Sequence, residues 1–184
     1  ISAGNQTGSG TVADVLDFSE GSSDLLRIED INYTFPVSEW SVSVGESMDA
    51  SKQFPNACAV DNIVDAISDC GVGNSIALGG DISVSAGTEF GDGWAIGLGA
   101  SSSDGETTKG MFTAEGTDLF GVAVGYEAGD YGLTVGYGST DGGTSSGTSY
   151  LGIAGAYSPE NFPTISGGIA VSYTHLRAHE TKKH

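Results

Sequence analysis

Three carboxylates, Asp61, Asp65 and Asp69, recur every four residues in the phrase DNIVDAISD. Ile63, Val64 and Ile67 fall on the complementary side. This spacing predicts a short helix with its acids on one face and its apolar residues on another. One expectation is that the connection holding them, residues 47–74, folds toward a pore, because acids at a narrow, low-dielectric opening attract cations strongly. The plainer reading is a solvated external face, with Asp61 capping the first turn. Both belong to residues 47–74, the longest connection in the chain, where Lys52 is the one basic residue. Cys58 and Cys70 lie in the same connection, twelve positions apart. In an oxidising compartment they would close a loop disulfide, and two buried free thiols are the alternative. Zinc suits them poorly, because no His or further Cys lies near.

Other chemistry is sparse. All three His lie within the last ten residues, so the body of the chain has no imidazole for acid–base work. No nucleophile motif, zinc motif or phosphate loop is present. Gly121-x-x-x-Gly125 has no helix after it and is strand texture, not a dinucleotide fingerprint. The phrase STDGGTSSG resembles a calcium-binding nonapeptide but does not repeat. We therefore expect no enzyme, and no cofactor or metal. The net charge of −18 argues against a nucleic-acid groove. It suits solubility, cation attraction or a cation-selective pore.

The elements that must position these residues are strands. In DLFGVAVGYEAGDYGLTVGYGST, residues 118–140, Phe120, Val122, Val124 and Tyr126 alternate with Leu119, Gly121, Ala123 and Gly125. After a tight turn at Gly129, Tyr131, Leu133, Val135 and Tyr137 alternate with Gly132, Thr134, Gly136 and Gly138. A period of two makes one face large and apolar and leaves the other almost bare. An outer-membrane strand has this pattern, with its apolar face to lipid. A secreted Gly/Ser-rich sandwich or solenoid is the soluble alternative. The same alternation is read at residues 31–37, 40–45, 75–90, 94–101, 151–157 and from 165 onward.

Two regularities favour a barrel. Connections alternate between short turns, near Ser38, Gly91, Gly129 and Glu160, and long loops at 47–74, 104–116 and 139–147. Outer-membrane barrels sort their connections in this way. Aromatic pairs also bracket each short turn: Phe35 and Trp40, Phe90 and Trp94, Tyr126 and Tyr131, Tyr157 and Phe162. A girdle at one bilayer interface produces that spacing. The expected fold is all-β: an antiparallel up-and-down meander of about eight strands, part of a transmembrane β-barrel, with one short helix in a long loop. No run of 18 apolar residues suggests a membrane helix.

The segment LLRIEDINYTFPVSEWSVSVGESM, the loop ending in DNIVDAISDCG, and the later phrases GTDLFGVAVGYEAGDYGLTVGYG and SPENFPTISGGI resemble cyanobacterial outer-membrane porins. That family carries an S-layer-homology domain and a barrel related to carbohydrate-selective porins. The likeness spans about residues 25–170. It implies passive diffusion of small solutes and ions, with carbohydrates or inorganic iron in some members, and a place in the cell outer membrane. The implied partners are outer-membrane lipid, the diffusing solutes and further copies of the chain. The S-layer-homology domain and the terminal aromatic strand of such barrels are missing from the pattern, as expected of a fragment. Residues 1–24 have no clear place. In residues 171–184 the composition shifts to His, Arg and Lys, and VSYTHLRAHET resembles a translated sequencing adapter, so a non-native tail is expected there. Two other functions remain open: a small closed structural or adhesin-type barrel without conductance, and a secreted acidic β-protein.

Overall fold

The computed structural model describes residues 31–57, 80–141 and 147–174. Eight strands run in chain order: β1 (Ile31–Val37), β2 (Trp40–Glu46), β3 (Ile82–Phe90), β4 (Trp94–Ser102), β5 (Asp118–Ala128), β6 (Tyr131–Asp141), β7 (Thr148–Tyr157) and β8 (Ile165–Thr174). They form one antiparallel sheet in which each strand pairs with its sequence neighbours. The expected meander is therefore present, and no helix occurs among the described residues. The sheet is open: its order runs from β1 to β8 without those two strands pairing. The helix expected at Asp61, Asp65 and Asp69, and the cysteines Cys58 and Cys70, lie outside the described residues.

The short connections all fall at one end of the sheet and the long ones at the other, because an antiparallel meander reverses direction at each turn. Two of the short turns are shaped by their first residues. Ser38 and Gly129 adopt positive φ of 56° and 57°, the backbone twist that lets a two-residue turn join right-handed twisted strands. Thr88 Oγ1 donates to the Glu39 carbonyl at 2.8 Å and ties the first turn to β3. The Ser158 amide donates to the Asp130 carbonyl at 2.7 Å and ties the third to the fourth.

The third strand, read from residue 75, is described from Ile82; Gly80 and Asp81 are not strand, and residues 75–79 lie outside the described residues. At the other end β8 continues to Thr174, with Leu151 opposite Val171 and Ser149 opposite Tyr173. The compositional break at 171 is thus not the end of the strand. Ile169, Val171 and Tyr173 keep the period of two, and that periodicity decides pairing.

The register sorts the side chains by size. On the outward face, one rank across the sheet reads Phe35, Val42, Ala86, Leu98, Val122, Tyr137, Leu151, Val171. The next holds Ile96, Val124, Val135, Ile153 and Ile169. The strand acids on this face, Glu46, Asp118 and Asp141, sit at the long-loop end. The inward face is the converse: Ser43, Ser85, Gly99, Gly121 and Gly138 share one rank.

Candidate functional site

The inward face is where the first long connection meets the sheet. The first long connection leaves β2 at Ser47 and returns across that face. Asp49 shapes it locally: its carboxylate accepts the Ser51 amide and hydroxyl, each at 2.8 Å, and its carbonyl accepts the Lys52 amide at 3.1 Å. Such a side-chain turn is a strong local organiser. Residues 48–57 then lie on the sheet as a strap. The Gln53 amide donates to Ser85 Oγ at 3.0 Å, and Gln53 Nε2 donates to Ser43 Oγ at 2.8 Å. The Ala57 amide donates to Thr134 Oγ1 at 2.8 Å. These bonds tie the middle of the strap to β2 and β3 and its Ala57 end to β6.

This seating inverts the usual burial of a small protein. Met48, Ala50, Ala57, Leu119, Ala123 and Ala154 are the buried hydrophobic residues among those described, and Thr134, Ser43, Ser83, Ser85 and Ser101 are buried beside them. Trp94, Leu98, Phe120, Leu133, Val135, Ile153 and Ile169 are exposed. Ala123 and Thr134, small or polar positions of the inward-facing pattern, are both 1 % exposed, with the Thr134 hydroxyl bound to the strap. The inward residues of β8, Gly168 and Ala170, do remain exposed.

Lys52 is exposed on the strap. It lines a cavity of about 600 Å³ at the short-turn end, together with Gln53, Asn56, Glu39, Glu89 and Glu127. The three glutamates give this opening an acidic rim that the sequence pattern did not single out. They are distant in sequence, and only the register of β2, β3, β4 and β5 brings their chain positions together. No side-chain position is described for Asp61, Asp65 or Asp69, which lie outside the described residues.

The eight bracketing aromatics sit at the short-turn end. Phe90 opposes Trp94, Trp94 opposes Tyr126, and Tyr131 opposes Tyr157. The Trp94–Tyr126 and Tyr131–Tyr157 ring centroids are each 4.7 Å apart. Phe35 stacks on Tyr33 at 5.6 Å, Trp40 opposes Val37, and Phe162 is exposed in the last short turn. A second set of aromatics was not anticipated. Tyr33, Phe120 and Tyr173 share one rank toward the long-loop end, and Phe112 stacks on Phe120 at 5.5 Å. Phe112 comes from a polar loop, where no periodicity marks it.

At the long-loop end Asp104 organises the β4–β5 connection. It pairs with Lys109 Nζ at 3.1 Å and accepts the Thr117 amide at 3.1 Å. The Lys109 hydrogen bond, with the Thr117 amide contributing, lowers the Asp104 pKa below its ordinary value.

No family model, curated protein or solved structure matches this chain.

Proposed function

We propose that this chain forms the wall of an outer-membrane porin, through which small solutes and ions diffuse passively with a preference for cations. One observation carries the reading: large apolar side chains fill the outward ranks while small and polar ones face inward. In water such an outward face would be an apolar patch far beyond what a monomer usually exposes. Against lipid it is the expected surface. The strands β3 to β8 are 9 to 11 residues long, the length a tilted strand needs to cross the hydrocarbon core. Two aromatic sets near opposite ends fit the two interfaces. No described helix is long and apolar enough to cross a membrane, and a crossing made of strands requires none.

The resemblance to cyanobacterial porins supports the same reading, including the outer-membrane location and the small-solute cargo. On this reading the open sheet is part of a closed barrel, since strand edges do not face lipid. The test is conductance of the purified protein in a planar lipid bilayer, after heat-modifiable gel mobility has shown a folded barrel. Stepwise ion currents support the reading. A protein that stays monodisperse in water without detergent overturns it and leaves the secreted β-protein.

The strap favours one second reading. It dries the inward face around Ala123, Thr134 and Ala154, as the filled interior of a small non-conducting barrel would require. Heat-modifiable mobility without current identifies that case.

A further inference from the structure

We propose that Gly87, Gly97, Gly99 and Gly125 are positioning residues: the Cβ they lack is the space that residues 48–57 occupy, which makes the strap a fixed insert and not a mobile gate. A Cβ added to Gly97 would stand 2.7 Å from both the Gln53 carbonyl oxygen and Phe54 Cα. At Gly87 it would strike the Gln53 carbonyl oxygen, and at Gly99 the Ala50 carbonyl oxygen. At Gly125 it would meet Pro55 Cβ at 2.6 Å. These obstacles are strap backbone and a proline ring, neither of which can swing aside as a long side chain can. Gly132 continues the bed more loosely, 3.3 Å from Ala57 Cβ.

Glycine inside a strand is unfavourable unless something approaches closely, and here strap backbone does so on β3 and β4 and the Pro55 ring on β5. Outward glycines behave differently. Gly167 has open space where a Cβ would go, and Gly155 has only ordinary contact at 3.6 Å. The bed also has polar clasps on either side, from Gln53 to Ser43 and Ser85 and from Ala57 to Thr134. Fit and clasps together hold the middle and the Ala57 end of the strap down. The consequence for conduction rests on the porin reading: the strap then sets a permanent constriction, and raising it widens the path.

Trypsin reads the seat without any assumption about conduction. The Lys52–Gln53 bond lies in the strap, with its amide hydrogen-bonded to Ser85, whereas Lys109 lies in an exposed loop and serves as internal reference. In the folded full chain, cleavage after Lys52 is expected to be slower than after Lys109 by more than about tenfold, since cleavage tracks the opened population. Gly125→Ala should remove most of that protection, and Pro55→Gly in the same chain should restore it. Gly155→Ala and Gly167→Ala should leave it intact. Gly97→Val and Gly99→Val serve as stronger variants, and heat-modifiable mobility shows which variants fold. If Gly125→Ala does not fold but the double variant does, the fit is again supported. Equal cleavage at both lysines in the unaltered chain overturns the proposal, as does failure of Pro55→Gly to rescue. Bilayer conductance is measured on the same samples. Protease results as expected with no current in any variant leave the seat standing and remove the porin reading. Current with protease results unmoved by Gly125→Ala does the reverse.

Discussion

The Thr134 hydroxyl accepts the amide of Ala57 at 2.8 Å, a buried contact across 77 positions of sequence. It fastens the far end of the strap to β6. Replacing Thr134 with Val keeps the shape but leaves the Ala57 amide without its acceptor. A buried donor left unpaired costs about 1–3 kcal/mol. Thr134→Val should therefore lower stability by that amount in urea titrations of detergent-folded protein, and Thr134→Ser should lose far less. Equal losses in the two variants would show that the methyl packing, not the hydrogen bond, matters there.

The outward ranks predict a directional response to charge. Val124 and Val135 oppose one another at mid-strand on the apolar face. On the porin reading, Arg at either should cost about 2–4 kcal/mol near the bilayer midplane. Arg at Ala170, on the exposed inward face of β8, should be tolerated. Arg at Ala123 should be damaging for a different reason, because the strap covers it. Folding yield into lipid vesicles checks all four, and tolerance at Val124 would rule out lipid contact there.

These contrasts mark what could be read from the residues alone. Strands such as β5 and β6 were legible because their alternation is written in side-chain size, Val and Tyr against Gly and Ala. Short turns were legible from residues such as Gly129 and Asp130. The strap was not. Residues 48–57 have no periodicity, and their partners, Ser43 to Thr134, are scattered through the chain. The one signal was indirect: an inward face as bare as Gly87, Gly97, Gly99 and Gly125 leaves room that something must fill. The acidic rim was hidden for a similar reason. Asp61, Asp65 and Asp69 form a local pattern, whereas Glu39, Glu89 and Glu127 become neighbours only through register.

Opposed acids at the long-loop end give a prediction of opposite sign. Asp118 stands directly across from Asp141. It is 3 % exposed, and its Oδ1 has no hydrogen-bond partner. Like charges opposite one another in a sheet are destabilising. Asp118→Asn should raise stability by roughly 0.2–1 kcal/mol, measured as a shift of the urea midpoint. A lower midpoint would mean that the Asp118 charge has a favourable partner.

The Asp104 pKa fixes a pH window. Its folded value is depressed, chiefly by the hydrogen bond from Lys109. A depressed carboxylate contributes stability that is present above its unfolded pKa and lost as pH falls through the folded value. The β4–β5 loop should keep its order through mildly acidic pH and loosen only below the ordinary aspartate range. Lys109→Met should move the loosening upward in pH. Proteolysis of the loop by pepsin across an acid series checks this, and an unmoved profile would remove Lys109 as the cause.

Selectivity supplies the last prediction. Lys52 shares the cavity at the short-turn end with Glu39, Glu89 and Glu127, so acids outnumber the base at this opening. Carboxylates lining a cleft concentrate cations, and a single ammonium offsets only part of that field. On the porin reading, reversal potentials in a potassium chloride gradient should show cation preference. Changing Glu39, Glu89 and Glu127 together to Gln should move the potential toward zero or past it, because Lys52 is then left without opposing acids in the cavity. Lys52→Gln should move it the other way. The comparison with Asp61, Asp65 and Asp69 changed to Asn is direct, since both sets are acidic and only their positions differ. If the Asn variant alone shifts selectivity, the cavity rim lies off the ion path. If the Gln variant alone does, the aspartates face solvent outside the pore. All shifts should shrink as salt rises, because the screening length falls to about 3 Å at 1 M. A salt-independent shift would point to altered pore width rather than charge.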